Sequence, residues 1–334
     1  MYPIKFENLY YERIWGGRDL EKFRDNVPEG CIGESWDIAC HRNGTGIIEN
    51  GELKGLSFKE LIDKYGEEVV GRKISKDNFP LLIKLINSKD KLSVQVHPDD
   101  KYAKEAENDL GKTEAWYVVD AEEGASLIVG TKDCDKEIFK KAIEDGCLEP
   151  YLNKIPVKKG DMFYVQSGLV HAICEGVTIA EIQQSSDTTY RVYDYNRGRE
   201  IHVEKALDVI DFDLKCENSK GITIHEEGFD KTILCLSEFF AIEKYEVKSK
   251  AIENSDLDRF FLFTCVEGNG KIVSSGNELE IKLGDSILIP ASLGEYTLEG
   301  NFTLLKSYVP DLEVEKSKIL SNELSKVDDK KLGV

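Results

Sequence analysis

The feature that most restricts the fold of this chain is a recurring unit, a run of four to seven apolar or alternating residues closed by a turn signal. Such runs fall at 81–86, 92–96, 115–119, 162–165, 177–182, 260–266, 286–289 and 302–308. They are too short for stable helices, and closely spaced strands of this kind imply a sandwich or barrel. Helical patterning is sparser. Ser57 begins a segment reaching Tyr65, with Glu60 in the capping-box position, and 135–144 and 203–210 carry apolar residues at three and four spacing. The expectation is a mainly β protein with helices inserted on a β frame.

A weak internal repeat divides that frame. Lys159-Gly160-Asp161 and Leu283-Gly284-Asp285 each feed an apolar run, and ten residues after the aspartate stand His171 in the first copy and Glu295 in the second. The repeat predicts two β units, with the chemistry in the first. A boundary is expected at 213–230, around the polar stretch from Cys216 to Gly221. Residues 1–225 then form one domain with helical insertions, 226–315 a second β domain and 316–334 a polar tail.

Composition removes whole classes of function. A net charge of −19 repels phosphate backbones, so no nucleic-acid partner is expected, although local lysines and arginines can still focus a small anion into a cleft. The N-terminal residues lack a basic segment followed by an apolar one, and no apolar run approaches the ~20 residues that span a bilayer. A cytoplasmic protein without a membrane partner is therefore expected. Eight cysteines form no Cys-x-x-Cys pair, so buried free thiols are expected rather than a thiolate metal site.

Two histidines sit where strand geometry suggests convergence. Gln95 and His97 are two apart, so on a strand they share a face, which also carries Ser93. A barrel interior lined by such groups is costly unless something inside uses them; the plain alternative is a hydrogen-bonded edge strand. His171 lies among apolar neighbours after the Gly168 turn, and Glu114 opens another apolar run. Two imidazoles, a carboxylate and an amide from separate strands would make a site suited to Zn²⁺ and acceptable to Fe²⁺, Co²⁺ or Mn²⁺. Lys84, inside the apolar run 81–86, must pair or reach a polar cleft.

Four motifs in order, Gln95-Val96-His97-Pro98-Asp99-Asp100, Gly111-Lys112-Thr113-Glu114-Ala115-Trp116-Tyr117, Gly168-Leu169-Val170-His171-Ala172-Ile173 and the stretch from Ser186 through Arg191 to Arg197, together resemble the type I mannose-6-phosphate isomerases in their short bacterial form. Ile14-Trp15-Gly16-Gly17 is similar as well. The resemblance implies a cupin (jelly-roll β-barrel) metal domain followed by a second, metal-free cupin-like unit. It also implies zinc-assisted interconversion of D-mannose 6-phosphate and D-fructose 6-phosphate through an enediol. Zn²⁺ would be held by His97, Glu114 and His171, with Gln95 the least secure ligand.

Arg191 corresponds to the essential arginine of the family. The longer enzymes carry a histidine where this chain has Gly111, so a role for that histidine does not transfer. Lys112, Asp187 and Glu181 are the candidates for proton transfer, and the sequence does not choose among them. Ser93 and Lys84 are the first candidates for binding the phosphate, with Arg197 and Arg199 secondary. Two rival readings remain at this point, an Fe²⁺-dependent cupin oxygenase and a non-catalytic sugar-binding cupin; neither needs Arg191 or Lys112. The expected partner is a small sugar phosphate, and the oligomeric state, monomer or homodimer, is open.

Overall fold

The computed structural model of the protein describes residues 1–321. Strand dominates, as the spacing of the runs predicts, and the runs assemble into two successive β units. In the first, a six-stranded sheet orders as Met162–Val165, Glu114–Ala121, Val177–Gln184, Leu81–Ser88, Ile32–Ile38 and Leu9–Gly17. A five-stranded sheet orders as Leu152–Pro156, Ser126–Thr131, His171–Ile173, Val94–Val96 and Tyr190–Tyr193. Trp116, Val118, Ile179 and Phe163 of the larger sheet pack against Leu127, Val129 and Ile173 of the smaller, which closes the pair into a barrel-like sandwich.

The second unit is a nine-stranded sheet built mainly on two 14-residue strands, Phe261–Ser274 and Glu295–Tyr308. The chain's first strand, Ile4–Lys5, crosses to it and pairs with Ser286–Ile289. The two units share the six-stranded sheet as a wall. Leu81, Ile83, Leu85, Ala115, Tyr117, Ala180 and Ile182 enter one core with Leu234, Phe240, Phe260 and Leu288 of the second unit. Their neighbours in sequence, Ile86, Trp116, Val118 and Ile179, point the other way, into the first unit. Strands Leu81–Ser88 and Val177–Gln184 are buried along their whole length, so both faces demand apolar residues and the runs read as continuous rather than alternating.

The repeat is visible in the turns. Asp161 Oδ2 accepts from the Lys158 amide and Asp285 Oδ2 from the Lys282 amide, each at 2.9 Å. Gly160 and Gly284 both have φ of 89°, a left-handed conformation that favours glycine. His171 and Glu295 each begin a strand, but His171 is buried and Glu295 is exposed.

Helices Phe58–Tyr65, Lys136–Glu144 and Val203–Val209 occur where the periodicity places them, the first with its Ser57–Glu60 capping box formed. Helix Asp100–Glu107 was not legible, because its pattern is almost wholly polar; Asp99 caps it by accepting from the Tyr102 amide. Helix Leu312–Ser321 opens the expected tail, and the rest of 316–334 lies beyond the described residues. The eight cysteines are unbridged, but only Cys174, Cys235 and Cys265 are buried, while Cys31 and Cys147 are exposed. The expectation of buried thiols thus holds for three of them and fails at the surface turns. No helix among the described residues is long and apolar enough to cross a membrane.

One polar knot joins the units. The fully buried Asp37 carboxylate accepts from Arg24, from Ser35 Oγ at 2.7 Å, from Asn8 at 3.0 Å and from Ser286 Oγ of the second unit at 3.1 Å. Arg24 also donates to the Gly284 carbonyl. Removing one member of a buried pair leaves the other charge uncompensated, which typically costs about 3–5 kcal/mol. Asp37→Ala is expected to lose that much unfolding free energy in urea; a loss below about 1 kcal/mol would show that Arg24 finds another partner.

Candidate active site

The inward face of the shared wall is where the barrel interior turns polar. Backbone register aligns Trp36 with Lys84, Lys84 with Glu181, and Glu181 with Trp116, so one row across four strands carries aromatic, cation, anion and aromatic. Lys84 Nζ lies 3.4 Å from Glu181 and 3.8 Å from Glu34. Glu181 also accepts from Trp116 Nε1 at 3.0 Å. Burial opposes ionisation of both carboxyls, yet the neighbouring cations outweigh it: Lys84 and then Arg13 hold Glu34 at about 2, and Lys112 and Lys84 hold Glu181 below the usual range.

At one end of this row three donors converge. Glu114 opens strand Glu114–Ala121, His171 opens His171–Ile173, and His97 follows Val94–Val96 directly; all three are essentially inaccessible to solvent. His171 Nε2 and His97 Nε2 lie 3.1 Å apart, and Glu114 reaches them at 3.4 and 3.5 Å. Each imidazole uses Nδ1–H to donate to a carbonyl, His97 to Thr188 and His171 to Leu169, both at 2.9 Å. That fixes the tautomer and leaves the two Nε2 lone pairs facing each other. Burial pushes His171 down to about 3 and, with Lys112 beside it, His97 well below its ordinary value, so both rings are neutral. Burial, reinforced by Glu181, pushes Glu114 above the usual carboxylate range against the pull of Lys112.

Facing lone pairs and a buried carboxylate need a cation. Lys112 meets part of the demand, at 3.0 Å from His97 Nε2 and in contact with Glu114 Oε2, but Glu114 Oε1 has no hydrogen-bond partner. The N₂O donor set, the fixed tautomers and that orphaned oxygen fit a divalent metal. Gln95 sits at the rim with its amide nitrogen 3.3 Å from His171 Nε2, so it faces the cluster as a hydrogen-bond donor, and ligation would require the amide to turn over.

A cavity of about 400 Å³ opens beside this cluster, and Ser93, Lys84, Lys112, Glu181, Asp187 and Arg191 all line it. Arg191 donates through Nε to Ser93 Oγ at 3.1 Å and through Nη1 to the Glu200 carbonyl at 2.6 Å. Burial and then the nearby Arg199 disfavour its charge, and it has no carboxylate at ion-pair distance among the described residues. Asp187 is held through Oδ2 by Asn43. Arg199 lines the cavity, whereas Arg197 is turned away onto Lys91 and Asp194. Glu34 and Arg13 also line the cavity and were missed in the sequence, and Trp15, noted there only within the Ile14-Trp15-Gly16-Gly17 motif, lines it too. Glu34 and Trp36 lie two apart as Gln95 and His97 do, but no apolar run flagged their strand.

Comparison with known proteins agrees with this geometry. The model for the type I phosphomannose isomerase catalytic domain matches residues 4–131, and that for the mannose-6-phosphate isomerase cupin domain matches residues 230–309. A mannose-6-phosphate isomerase of Streptococcus mutans is 37% identical over 313 residues, spanning 92% of this chain and 98% of that protein. A probable mannose-6-phosphate isomerase of Bacillus subtilis is 39% identical over 316 residues, with 92% and 99% covered. The crystal structure of the Bacillus subtilis mannose 6-phosphate isomerase superposes with a TM-score of 0.87 at 35% identity, covering 92% of this chain and 99% of that one. Sequence kinship over nearly its whole length, on a cupin fold with a buried His-Glu-His cluster, means that this chain belongs to the type I mannose-6-phosphate isomerase family.

Proposed function

We propose that the protein interconverts D-mannose 6-phosphate and D-fructose 6-phosphate, using Zn²⁺ held by His97, Glu114 and His171 with Gln95 at the rim. The observation that carries this reading is the buried donor cluster with its orphaned Glu114 oxygen, opening onto a cavity that also presents Lys112 and Arg191. When bound, the ion supplies a Lewis acid that polarises substrate oxygens. The reacting residues are assigned to 1–225, and the 226–315 unit backs the shared wall. The cytoplasm, which keeps thiols reduced, suits eight unbridged cysteines and this substrate class.

The chemistry moves a proton between C2 and C1 while negative charge develops on two neighbouring oxygens. Arg191, without a carboxylate of its own, is the group suited to that charge, because its planar fork stabilises two oxygens without surrendering a proton. Burial would strip Lys112 of its proton, but Glu114 and Glu181 outweigh it and keep the ammonium, so Lys112 donates a hydrogen bond to a substrate oxygen. Asp187, braced by Asn43, is assigned the proton-transfer role at the cavity wall. Ser93 orients Arg191 as well as the substrate. Lys84 is matched by Glu181 and Glu34, so it suits a sugar hydroxyl better than a phosphate dianion. An oxygenase or a passive sugar binder would give Arg191 and Lys112 no work.

Metal analysis of the purified protein is expected to find one zinc per chain, lost on His171→Ala, and chelation is expected to abolish formation of fructose 6-phosphate in a coupled assay. Full turnover after complete metal removal would overturn the assignment. Arg191→Lys is expected to keep its zinc and its melting temperature while kcat falls about 10²- to 10³-fold. Asp194 is paired by Arg197 and Arg199 rather than by Arg191, which leaves Arg191 free of that bracing role. A kcat within about threefold of wild type would make Arg191 a structural residue instead.

A further inference from the structure

The segment after strand Tyr190–Tyr193 holds a second guanidinium in the cavity by an arrangement that local preference does not supply. Tyr195 and Asn196 have φ of 52° and 60°, and Gly198 has 80°. Asn and Gly visit this left-handed region readily, so Tyr195 is the residue kept there against its local preference. The loop that contains all three folds around the buried carboxylate of Asp194. Its Oδ2 accepts from Arg199 Nε at 3.0 Å, and its Oδ1 accepts from Arg197 Nη2 at 3.0 Å and from Arg199 Nη2. Arg197 then ties the loop to the barrel by donating to the Lys91 carbonyl at 2.7 Å, two residues before Ser93. Arg199, gripped by both oxygens of Asp194, is left lining the cavity beside Arg191 and Ser93. One buried carboxylate therefore organises two guanidinium groups with different tasks.

We propose that Asp194 is a positioning residue that presents Arg199 to the phosphate of the substrate, so that Arg199 and Ser93 form the anion end of the cavity while Arg191 serves the reacting carbons. This rests on the isomerase reading for the identity of the substrate, and on the structure alone for the anion. Arg199 is suited to the task because a guanidinium held by a carboxylate on one edge keeps its remaining N–H groups aimed in a fixed direction. Lys84, which also lines the cavity, has two carboxylates within 4 Å, whereas Asp194 is one carboxylate shared by two guanidiniums and leaves one positive charge over.

The test is a mutant cycle read by calorimetry with inorganic phosphate, on the full-length protein, for wild type, Asp194→Asn, Arg199→Gln and the double variant. Wild type is expected to bind phosphate, and each single change is expected to weaken binding about 10- to 100-fold, the range set by a charge-assisted hydrogen bond. The double variant is expected to be no weaker than Arg199→Gln alone, because Asp194 acts through Arg199. With mannose 6-phosphate the loss should fall on KM, with kcat changing less than about threefold. Arg199→Lys keeps the charge but cannot take the two-oxygen grip, so it should bind phosphate as poorly as Arg199→Gln, which keeps the proposal testable if Asp194→Asn does not fold. Failure of wild type to bind phosphate, additive losses in the double variant, wild-type binding by Arg199→Lys, or a fall in kcat at unchanged KM would each overturn it. Phosphate binding that follows the cycle in a protein with no turnover of mannose 6-phosphate would instead overturn the isomerase reading and leave the Asp194 clamp standing.

Discussion

Two neutral imidazoles and a carboxylate, buried with their donor atoms turned on one another, set the terms for the rest of this molecule. All three are buried and each is a lone-pair donor, so the arrangement calls for positive charge at its centre. The surroundings follow from that demand. Thr188 and Leu169 carbonyls take the Nδ1 protons and so direct the Nε2 lone pairs inward. Lys112 stands against Glu114, and further along the wall Lys84 stands between Glu181 and Glu34.

Such charges can be held in place because the sheet that carries them is fixed from behind. Alternate residues of Leu81–Ser88, Glu114–Ala121 and Val177–Gln184 are committed to the core shared with the second unit. A one-residue slip of any of these strands would exchange its two faces, sending Lys84 or Glu181 into that core and apolar neighbours such as Ile83 or Ile182 into the cavity. The second unit thus contributes to the site without lending it a side chain. It makes the register of the catalytic wall expensive to change, and the Asp37 knot fastens the same wall by a polar route.

Around the cavity the division of labour among cations is set by their partners rather than by their type. Lys84 and Lys112 are balanced by carboxylates and suit hydroxyl or carbonyl oxygens. Arg197 is consumed in anchoring its loop. Arg191 has neutral hydrogen-bond partners, a serine hydroxyl and a carbonyl, which leaves its charge without a carboxylate at ion-pair distance among the described residues. A protein with a net charge of −19 can in this way still offer an anion a favourable pocket.

The β character, the strand positions at 81–86, 162–165 and 286–289, the three periodic helices and the turn repeat were legible in the sequence because each depends on local rules: short apolar runs closed by turn signals, helical spacing and capping, and the glycine of a tight turn. The pairing of Gln95 with His97 was legible for the same reason. Strand Ile32–Ile38 was not, since its residues mix Gly, Glu, Ser, Trp and Asp, and only a neighbour on each side makes that mixture a strand. The motifs named the metal donors, but their convergence within 4.8 Å joins residues up to 74 apart in the chain, and that is a property of sheet register. The roles of the arginines were also undecided in one dimension. Arg191, Arg197 and Arg199 follow one another along a single segment, and only the folded loop, by setting one buried Asp194 against two of them, separates Arg197, tied to the Lys91 carbonyl, from the two that line the cavity.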